Sequence, residues 1–222
     1  MSISANLDAV KSLLPEGVKL VAVSKFHPTE ALEEAYAAGQ RIFGESRVQE
    51  LDSKQEALPA DIEWHLIGHL QTNKIKTVVP YIHTIQSIDS WKVLSEIDKY
   101  ASKVNRKINC LLEIYIAKED SKYGLTFDEC RDLLDSEDWK ALKNIQLAGV
   151  MGMATNTDNE SQIRQEFRSL KVFFEELKHK YFKDDSCFCE ISMGMSHDYK
   201  IAIEEGSTII RVGTSVFGER KY

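Results

Sequence analysis

Short apolar runs rich in β-branched residues alternate with amphipathic helical segments along the chain, and this alternation constrains the fold more than any other feature. The runs predict eight strands, at residues 19–25, 41–44, 63–68, 81–86, 108–116, 145–151, 187–191 and 208–212. The clearest intervening helix carries an apolar stripe of Ile163, Phe167, Leu170, Phe174 and Leu177. A short amphipathic helix at residues 4–14 precedes the first strand.

Alternating strands and helices with short connections imply right-handed βαβ units and a parallel sheet, and eight such units favour a closed barrel. A doubly wound open sheet is the alternative, because hydrophobic periodicity does not prove that the sheet closes. The predicted fold class is α/β, a single (β/α)8 TIM-type barrel with an extra N-terminal helix. No linker-like or repeated stretch interrupts the chain, so we expect one domain over residues 1–222.

Charge and hydropathy exclude several classes of partner. The 28 basic and 35 acidic residues give a net charge of −7, which provides no general attraction to a phosphate backbone, so we expect no nucleic-acid partner. The amino terminus lacks the basic and apolar regions of a leader peptide, and no apolar run approaches the ~18 residues of a membrane span. We therefore expect a cytoplasmic protein without a membrane partner.

The residues that could bind a metal do not form a recognisable ligand set. Only two of the four cysteines are close in sequence, and their Cys-x-Cys spacing is not typical of zinc sites. The cysteines are Cys110, Cys130, Cys187 and Cys189, which we expect to be small core residues in a reducing compartment. Glu63, His65 and His69 share one strand face, but neighbours on that face lie about 6.6 Å apart at ~3.3 Å per residue. We therefore predict no metal site and interpret His65 and His69 as core or pocket-lining residues.

The first predicted strand ends in a lysine. Strand alternation puts Lys25 on the same face as Val21 and Val23, at the carboxyl end of a buried strand, where lysine is seldom found. Burial lowers the pKa of an amine and frees a nucleophile that can condense with a carbonyl, so one interpretation is a Schiff-base lysine. The alternative is a lysine of the strand-to-helix loop whose ammonium group reaches solvent.

Two glycine-containing loops follow the last two predicted strands, where barrels of this type often hold phosphate. Residues 192–198 have the sequence SMGMSHD, and residues 213–218 have the sequence GTSVFG. Each loop combines a glycine with side chains that can cap a helix. Two helix amino termini directed at one point would bind a dianion without a net positive protein.

Arg211 shares strand parity with Ile209, which directs its guanidinium group into the top of the barrel. The alternative is an ion pair with a neighbouring carboxylate such as Glu190. A reactive lysine, a phosphate site and a buried arginine together match the aldehyde, phosphate and ring nitrogen of pyridoxal 5'-phosphate (PLP). The residues therefore favour PLP as the cofactor, held as a Schiff base on Lys25.

Seven segments carry a family resemblance. They are VAVSK at 21–25, FGESRVQE at 43–50, WHLIGHLQTNK at 64–74, SKYGL at 121–125, GVMGM at 149–153, SMGMSHD at 192–198 and IRVGT at 210–214. In this order they resemble the pyridoxal phosphate homeostasis protein family, single-domain relatives of the amino-terminal barrel of alanine racemase. The resemblance implies phosphate contacts by Ser192, Met193, Ser196, Gly213 and Thr214, with Arg211 near the pyridine nitrogen.

Three positions bear on this resemblance without joining the predicted site. Ser46 and Tyr115 stand where the family often has asparagine, so hydrogen bonds assigned to those asparagines cannot be carried over. Lys122 lies in a polar loop at residues 118–124, where a solvated charge is the ordinary interpretation. The resemblance makes Lys122 a candidate for a second amine near the site.

The resemblance favours a role in intracellular PLP homeostasis, as a carrier and regulator that sequesters the reactive aldehyde and supplies PLP-dependent apoenzymes. We expect a monomer without significant turnover, because racemisation needs an acid and a base on opposite faces of the cofactor. Lys25 can transfer a proton on one face. In the alanine racemase family a tyrosine of an appended β-domain acts on the other face, and we expect this chain to lack that domain. Two alternatives stay open: a PLP-dependent racemase or decarboxylase, and a barrel aldolase that uses Lys25 on a phosphorylated sugar without cofactor.

Overall fold

Eight parallel strands close into a barrel in chain order, because each strand pairs with the next and β8 pairs with β1. The structure is a computed structural model that describes residues 2–118 and 123–219. The strands are β1 (Lys19–Val23), β2 (Ile42–Glu45), β3 (Glu63–Leu66), β4 (Thr84–Ile88), β5 (Ile108–Ile114), β6 (Ile145–Gly152), β7 (Glu190–Ser192) and β8 (Ile209–Val212). The predicted closed barrel is confirmed, and the open sheet is excluded.

Helices surround the barrel. They are α1 (Ile3–Lys11), α2 (Thr29–Ala37), α3 (Val48–Ala57), α4 (Ile75–Val78), α5 (Trp91–Lys103), α6 (Phe127–Asp135), α7 (Glu160–Tyr181), α8 (Tyr199–Glu204) and α9 (Thr214–Phe217). Short 3₁₀ turns lie at Thr72–Lys74 and Asp138–Ala141. The predicted extra N-terminal helix is α1, and its Asn6 Nδ2 donates to the Val216 carbonyl at 3.0 Å, which holds α1 against α9.

Side-chain caps fix where several helices begin. The Thr126 hydroxyl accepts from the Glu129 amide at 3.2 Å, and the Glu129 carboxylate accepts from the Thr126 amide at 2.8 Å. This reciprocal capping box starts α6. Ser90 and Asn159 cap α5 and α7 in the simpler way, each accepting one amide hydrogen.

Local hydrogen bonds explain why two strands, β4 and β7, each start three residues later than predicted. The amides of Tyr81 and Ile82 both donate to the Val78 carbonyl, so these residues finish the turn after α4 and β4 begins only at Thr84.

Before β7, the Asp185 side chain accepts from the Cys187 amide at 2.9 Å, which holds residues 185–188 in a turn. The strand therefore begins at Glu190 instead of residue 187.

This turn also changes the placement of two cysteines. Cys110 and Cys130 are buried core residues, as predicted. Cys187 and Cys189 are exposed, which contradicts the expected core placement, because they precede the buried part of β7.

Apolar side chains pack in two regions. The larger cluster lies between the outer face of the sheet and the helices and contains the stripe of α7. The smaller cluster consists of Val21, Leu111, Ala148, Met151 and Ile209, and it fills only part of the barrel interior. Buried polar side chains occupy other interior positions, and hydrogen bonds link some of them to Arg211 of the candidate site. Within residues 2–118 and 123–219, no helix combines the length and apolar composition needed to cross a membrane.

Candidate functional site

Lys25 lies in the turn that joins β1 to α2, at the carboxyl-terminal face of the barrel. The Ser24 amide donates to the Gly44 carbonyl at 3.0 Å, and the His27 amide donates back to the Ser24 carbonyl at 3.0 Å. Between them Phe26 has a φ of 66°, an unfavourable conformation for a bulky residue. The Lys25 side chain is half-buried and lines a cavity. The structure thus places Lys25 two residues beyond the end of β1 and not on the strand itself.

The cavity has a volume of about 210 Å³ and lies at the carboxyl ends of the strands. Five of the seven predicted site residues line it: Lys25, Ser196, Arg211, Gly213 and Thr214. They come from the turn after β1, the loop after β7, and β8 with the loop that follows it. These segments are distant in sequence and meet because parallel strands bring their carboxyl ends to one face of a barrel.

Six further residues line the same cavity and were not predicted: Val23, Ser46, Ile67, Met153, Met195 and His197. Ser46 was set aside because it departs from the family pattern, yet its position faces the cavity. Met153 and Met195 lie inside two of the segments that carry the resemblance, which was the available signal for them.

Backbone amides converge at one end of the cavity. The Ser196 hydroxyl oxygen accepts from the amides of Gly213 at 3.3 Å and Ser215 at 3.4 Å. A side chain at position 213 would bring a Cβ atom to 3.1 Å from the Val23 carbonyl, so glycine permits this close approach. Two amides directed at one oxygen can equally serve an oxygen of a bound phosphate.

Arg211 is buried inside the barrel, as its strand parity predicts. It donates from Nη1 to the Ser192 hydroxyl at 2.7 Å and from Nη2 to the Gly152 carbonyl at 3.0 Å. Burial lowers the pKa of Arg211 to about 10, against the opposing charges of Glu113 and Asp198, so the side chain stays cationic at neutral pH. The alternative partner Glu190 instead contacts Lys19 and Thr208. The predicted direction of Arg211 is correct, and the ion pair with Glu190 does not form.

The other two predicted phosphate contacts lie outside the cavity lining. The Ser192 hydroxyl donates to Gln86 Oε1 at 2.6 Å and accepts from Arg211, so it supports the guanidinium group. The Met193 side chain is fully buried in the large apolar cluster, and its amide donates to the Ile209 carbonyl at 3.1 Å. Both residues therefore act on the cavity only through the positions of their neighbours.

Glu113 is a buried carboxylate that the sequence analysis did not single out. Burial raises the pKa of Glu113 to about 7, although the Arg211 cation opposes this shift. The available signal was that Glu113 is the single charged residue of strand β5. Glu113 therefore changes its charge near neutral pH at a position that influences Arg211.

A buried ionic cluster supports the turn that carries Lys25. Lys54 Nζ donates to the Ser24 carbonyl at 2.7 Å, to Glu45 Oε1 at 2.7 Å and to Glu50 Oε1 at 2.6 Å. The Ser24 hydroxyl donates to the same Glu45 oxygen at 2.6 Å. The Phe26 amide donates to Glu50 at 2.6 Å. Because these contacts hold the residues on both sides of Lys25, the cluster fixes the conformation of the turn.

The remaining candidates are dispersed. His69 Nδ1 lies 2.9 Å from the Asp89 carboxylate at the surface, and His65 lies buried with its Nδ1 at 2.8 Å from Gln86 Nε2. The Tyr115 amide donates to the Leu125 carbonyl at 2.8 Å, and Tyr115 is absent from the cavity lining. Lys122 lies outside the described residues.

Comparison with known proteins shows which family the chain resembles. The family model for the alanine racemase N-terminal domain matches residues 1–221. The pyridoxal phosphate homeostasis protein of Aquifex aeolicus is 40% identical over 205 residues, covering 92% of this chain and 88% of that protein. The protein of the same name from Schizosaccharomyces pombe is 34% identical over 231 residues, covering 99% and 93%.

Solved structures show the same relationship. PipY of Synechococcus elongatus, whose structure was solved with PLP bound, has a TM-score of 0.88 and 37% identity and covers 97% of this chain and 100% of that chain. An alanine racemase of Clostridium difficile has a TM-score of 0.76 at 13% identity over 57% of its own length, which shows a shared fold. The match to residues 1–221 and the relatives at 34% to 40% identity show that this chain belongs to the alanine racemase N-terminal domain family, among the pyridoxal phosphate homeostasis proteins.

Proposed function

We propose that this protein binds PLP as a Schiff base on Lys25 and acts in intracellular PLP homeostasis, as a carrier and regulator without significant catalytic turnover. One observation carries the proposal: a single cavity joins a lysine, an oxygen-binding pair of backbone amides and a buried arginine. The relative PipY, solved with PLP bound, supports the choice of ligand. PLP supplies an aldehyde that a primary amine can capture.

The polar groups of the cavity fit the two ends of such a ligand. Ser196, Gly213 and Thr214 are proposed to hold the phosphate, because two amides already converge on the Ser196 oxygen. Arg211 is proposed to face the ring nitrogen. It uses two guanidinium nitrogens for protein contacts, and a guanidinium group carries five N–H donors in all, so donors remain for a ligand. Ser192 and Met193 are proposed to support these groups from behind.

The proposal also covers the location, domain organisation, oligomeric state and partners of the protein. The free thiols among the described cysteines accord with a cytoplasmic location in a reducing compartment. We further propose that residues 1–222 form a single domain, that the protein is a monomer, and that PLP-dependent apoenzymes receive the PLP. The named relatives are described as homeostasis proteins, which supports a role other than catalysis.

The attachment site is tested by reduction and mapping. Purified protein loaded with PLP should show a visible Schiff-base absorbance, and borohydride should fix a pyridoxyl group on the peptide that contains Lys25. Lys25→Ala should abolish the absorbance, whereas Lys140→Ala, which removes an exposed lysine amine, should retain it. A label found mainly on Lys122 or another lysine would overturn the assignment to Lys25.

The phosphate end is tested by comparing two ligands. Ser196→Ala should weaken PLP retention by about 0.5–3 kcal/mol, the range that spans neutral hydrogen bonds and those to a charged group. Pyridoxal, which lacks the phosphate, should bind much more weakly than PLP to the wild-type protein and should be nearly insensitive to Ser196→Ala. Equal affinities for pyridoxal and PLP would remove the phosphate site from the proposal.

A further inference from the structure

A second polar cavity lies at the opposite, amino-terminal mouth of the barrel. It has a volume of about 240 Å³, and its lining includes Glu63, His65 and His83. One donor atom from each of these three residues lies within 4.8 Å of the other two. We propose that these side chains bind a divalent transition metal ion, Zn²⁺ in the first instance, at a site separate from the cavity that contains Lys25 and independent of the proposed function.

This group cannot be recognised from the residues of one strand alone. Glu63, His65 and His69 were rejected as a ligand set, since neighbours on one face of a strand are too widely spaced. In the barrel, His83 approaches from the segment before β4 and completes the set with Glu63 and His65. The two imidazole rings are nearly parallel, at 6°, with their centres 5.7 Å apart. His83 Nε2 lies 3.7 Å from Glu63 Oε2.

His65 supplies the independent observation that points to a ligand. Its side chain is almost fully buried, and its Nε2 has no hydrogen-bond partner among the described residues. Leaving a buried ring nitrogen unpaired is unfavourable, and coordination by a metal ion would satisfy it.

The contacts behind the proposed ligands resemble those of known zinc sites, in which a ligating histidine uses its second ring nitrogen in a hydrogen bond. His83 Nδ1 lies 2.8 Å from the Thr84 hydroxyl, and His65 Nδ1 lies 2.8 Å from the Gln86 amide. A primary amide presents either nitrogen or oxygen at the same place after a half rotation. Gln86 can therefore accept the Nδ1 proton of His65 when Nε2 binds the metal, and its amide nitrogen then donates to the Ser192 hydroxyl in place of the bond that Gln86 Oε1 accepts from Ser192.

The distances require only a small adjustment. Two atoms bound to one tetrahedral zinc ion lie about 3.4 Å apart at bond lengths of ~2.1 Å, so donor atoms that lie within 4.8 Å of one another have to approach by at most about 1.4 Å. Glu63 and His83 are half-exposed and can move by this amount. Two cations, Lys19 and Arg106, act on the histidines; the Lys19 ammonium group is paired with Glu190, and Arg106 donates to the Val79 carbonyl. Two nitrogen ligands and one carboxylate with an open position form a common zinc donor set.

The exposed cysteines provide a rival site on the same face. Cys187 lines the same cavity, and Cys189 lies two residues further along the chain. Thiolates bind zinc well, so zinc uptake alone would not identify the ligands. The test therefore has to separate the histidine and glutamate ligands from the cysteines.

The experiment uses the purified full-length chain without an affinity tag, after dialysis against a chelator, titrated with Zn²⁺ by calorimetry and with Co²⁺ by visible absorption. One equivalent should bind, and His83→Gln and Glu63→Gln should each weaken binding by about tenfold or more. His179→Gln, which removes an exposed histidine of α7, should have no effect, and the double variant Cys187→Ser/Cys189→Ser should retain stoichiometric binding. Both ligand variants change half-exposed side chains, and their folding is checked by circular dichroism. No stoichiometric binding, unchanged affinity in both ligand variants, or loss of binding only in the cysteine variant would overturn the proposal.

Discussion

Glu113 shows how burial, and not the nearest charge, sets the ionisation of a side chain. The Arg211 cation favours the charged carboxylate, but burial disfavours it more strongly and raises the pKa of Glu113 to about 7. Since an unfolded glutamate titrates at 4.5, the folded state binds the additional proton between the two values. The stability that this proton provides is present below pH 4.5 and is lost as the pH rises through about 7.

We expect Glu113→Gln to remove this pH dependence. The shift from 4.5 to about 7 corresponds to about 3 kcal/mol at ~1.4 kcal/mol per pKa unit. We compare the unfolding free energy of the variant with that of the wild type at each pH. This difference should favour the variant more at pH 8 than at pH 5, by on the order of 1–3 kcal/mol. Urea unfolding at the two pH values measures the difference. A variant that keeps the wild-type pH dependence would show that Glu113 does not titrate in this range.

The residues that could be predicted from sequence are those with a distinct chemistry at a strand end. Lys25 and Arg211 interrupt apolar runs, and Gly213 and Ser196 lie in glycine-containing loops. Ile67 lines the same cavity without any such signal. Its side chain reaches the cavity because of the way the barrel closes, which is a property of the complete fold.

At the scale of elements, α3 and β2 together determine the conformation of the turn after β1. Lys54 of α3 is buried between Glu45, Glu50 and the Ser24 carbonyl. Burial raises the pKa of Glu45, while Lys54 acts in the opposite direction, so the carboxylate depends on its lysine partner. The ion pair of Lys54 and Glu50 matches a four-residue helical spacing, whereas the contacts with Glu45 and Ser24 require the folded barrel.

We expect Lys54→Met to destabilise the protein and to weaken PLP binding. Removal of one partner from a buried ion pair leaves an uncompensated charge and typically costs about 3–5 kcal/mol. Lys140→Met breaks an exposed ion pair with Glu137 and should cost less than about 1 kcal/mol. Chemical unfolding and PLP titration of both variants provide the comparison. A Lys54→Met protein with wild-type stability and PLP affinity would contradict the role of the cluster.

Element boundaries were predictable where the chain carries its own signal. Thr126 and Glu129 form a capping box that can be recognised in the sequence, and α6 begins there. The starts of β4 and β7 were misplaced because apolar residues before them, such as Ile82 and Phe188, are buried against helices in turns. Hydrophobic periodicity reports burial and does not distinguish a strand from a buried turn.

At the scale of the whole molecule, the barrel places different chemistry at its two mouths. Lys25 and the amides near Ser196 lie at the carboxyl-terminal face, and Glu63, His65 and His83 lie at the other. A chain of hydrogen bonds from Arg211 through Ser192 and Gln86 to His65 runs between them. The number and order of the strands were predictable from alternation alone. This interior chain was not, because its members come from four different strands.

The arrangement of the cavity bears directly on catalysis. Racemisation of an amino acid requires groups that accept and donate a proton on opposite sides of the α-carbon. Lys25 can act on one side. His65 and Tyr115, whose side chains can transfer protons, are absent from the cavity lining, and Arg211 stays protonated and therefore cannot transfer a proton to a ring nitrogen. Among the described residues, His197 is the histidine that lines the cavity, 3.1 Å from the Asp198 carboxylate.

We therefore expect no enzymatic turnover of amino acids by the PLP-loaded protein. Incubation with each common amino acid in deuterated solvent should give deuterium exchange at the α-carbon at a rate well below about 1 per second, which is the lower end of ordinary enzyme rates. Lys25→Ala and His197→Gln serve as the paired variants, since each removes one proton-carrying group of the cavity. Exchange at several turnovers per second that is lost in Lys25→Ala would establish a racemase or a related enzyme. If His197→Gln also abolished that exchange, the second proton-transfer group would be His197. The proposed carrier function would then be replaced by catalysis that uses Lys25 of the turn after β1 and His197 of the loop after β7.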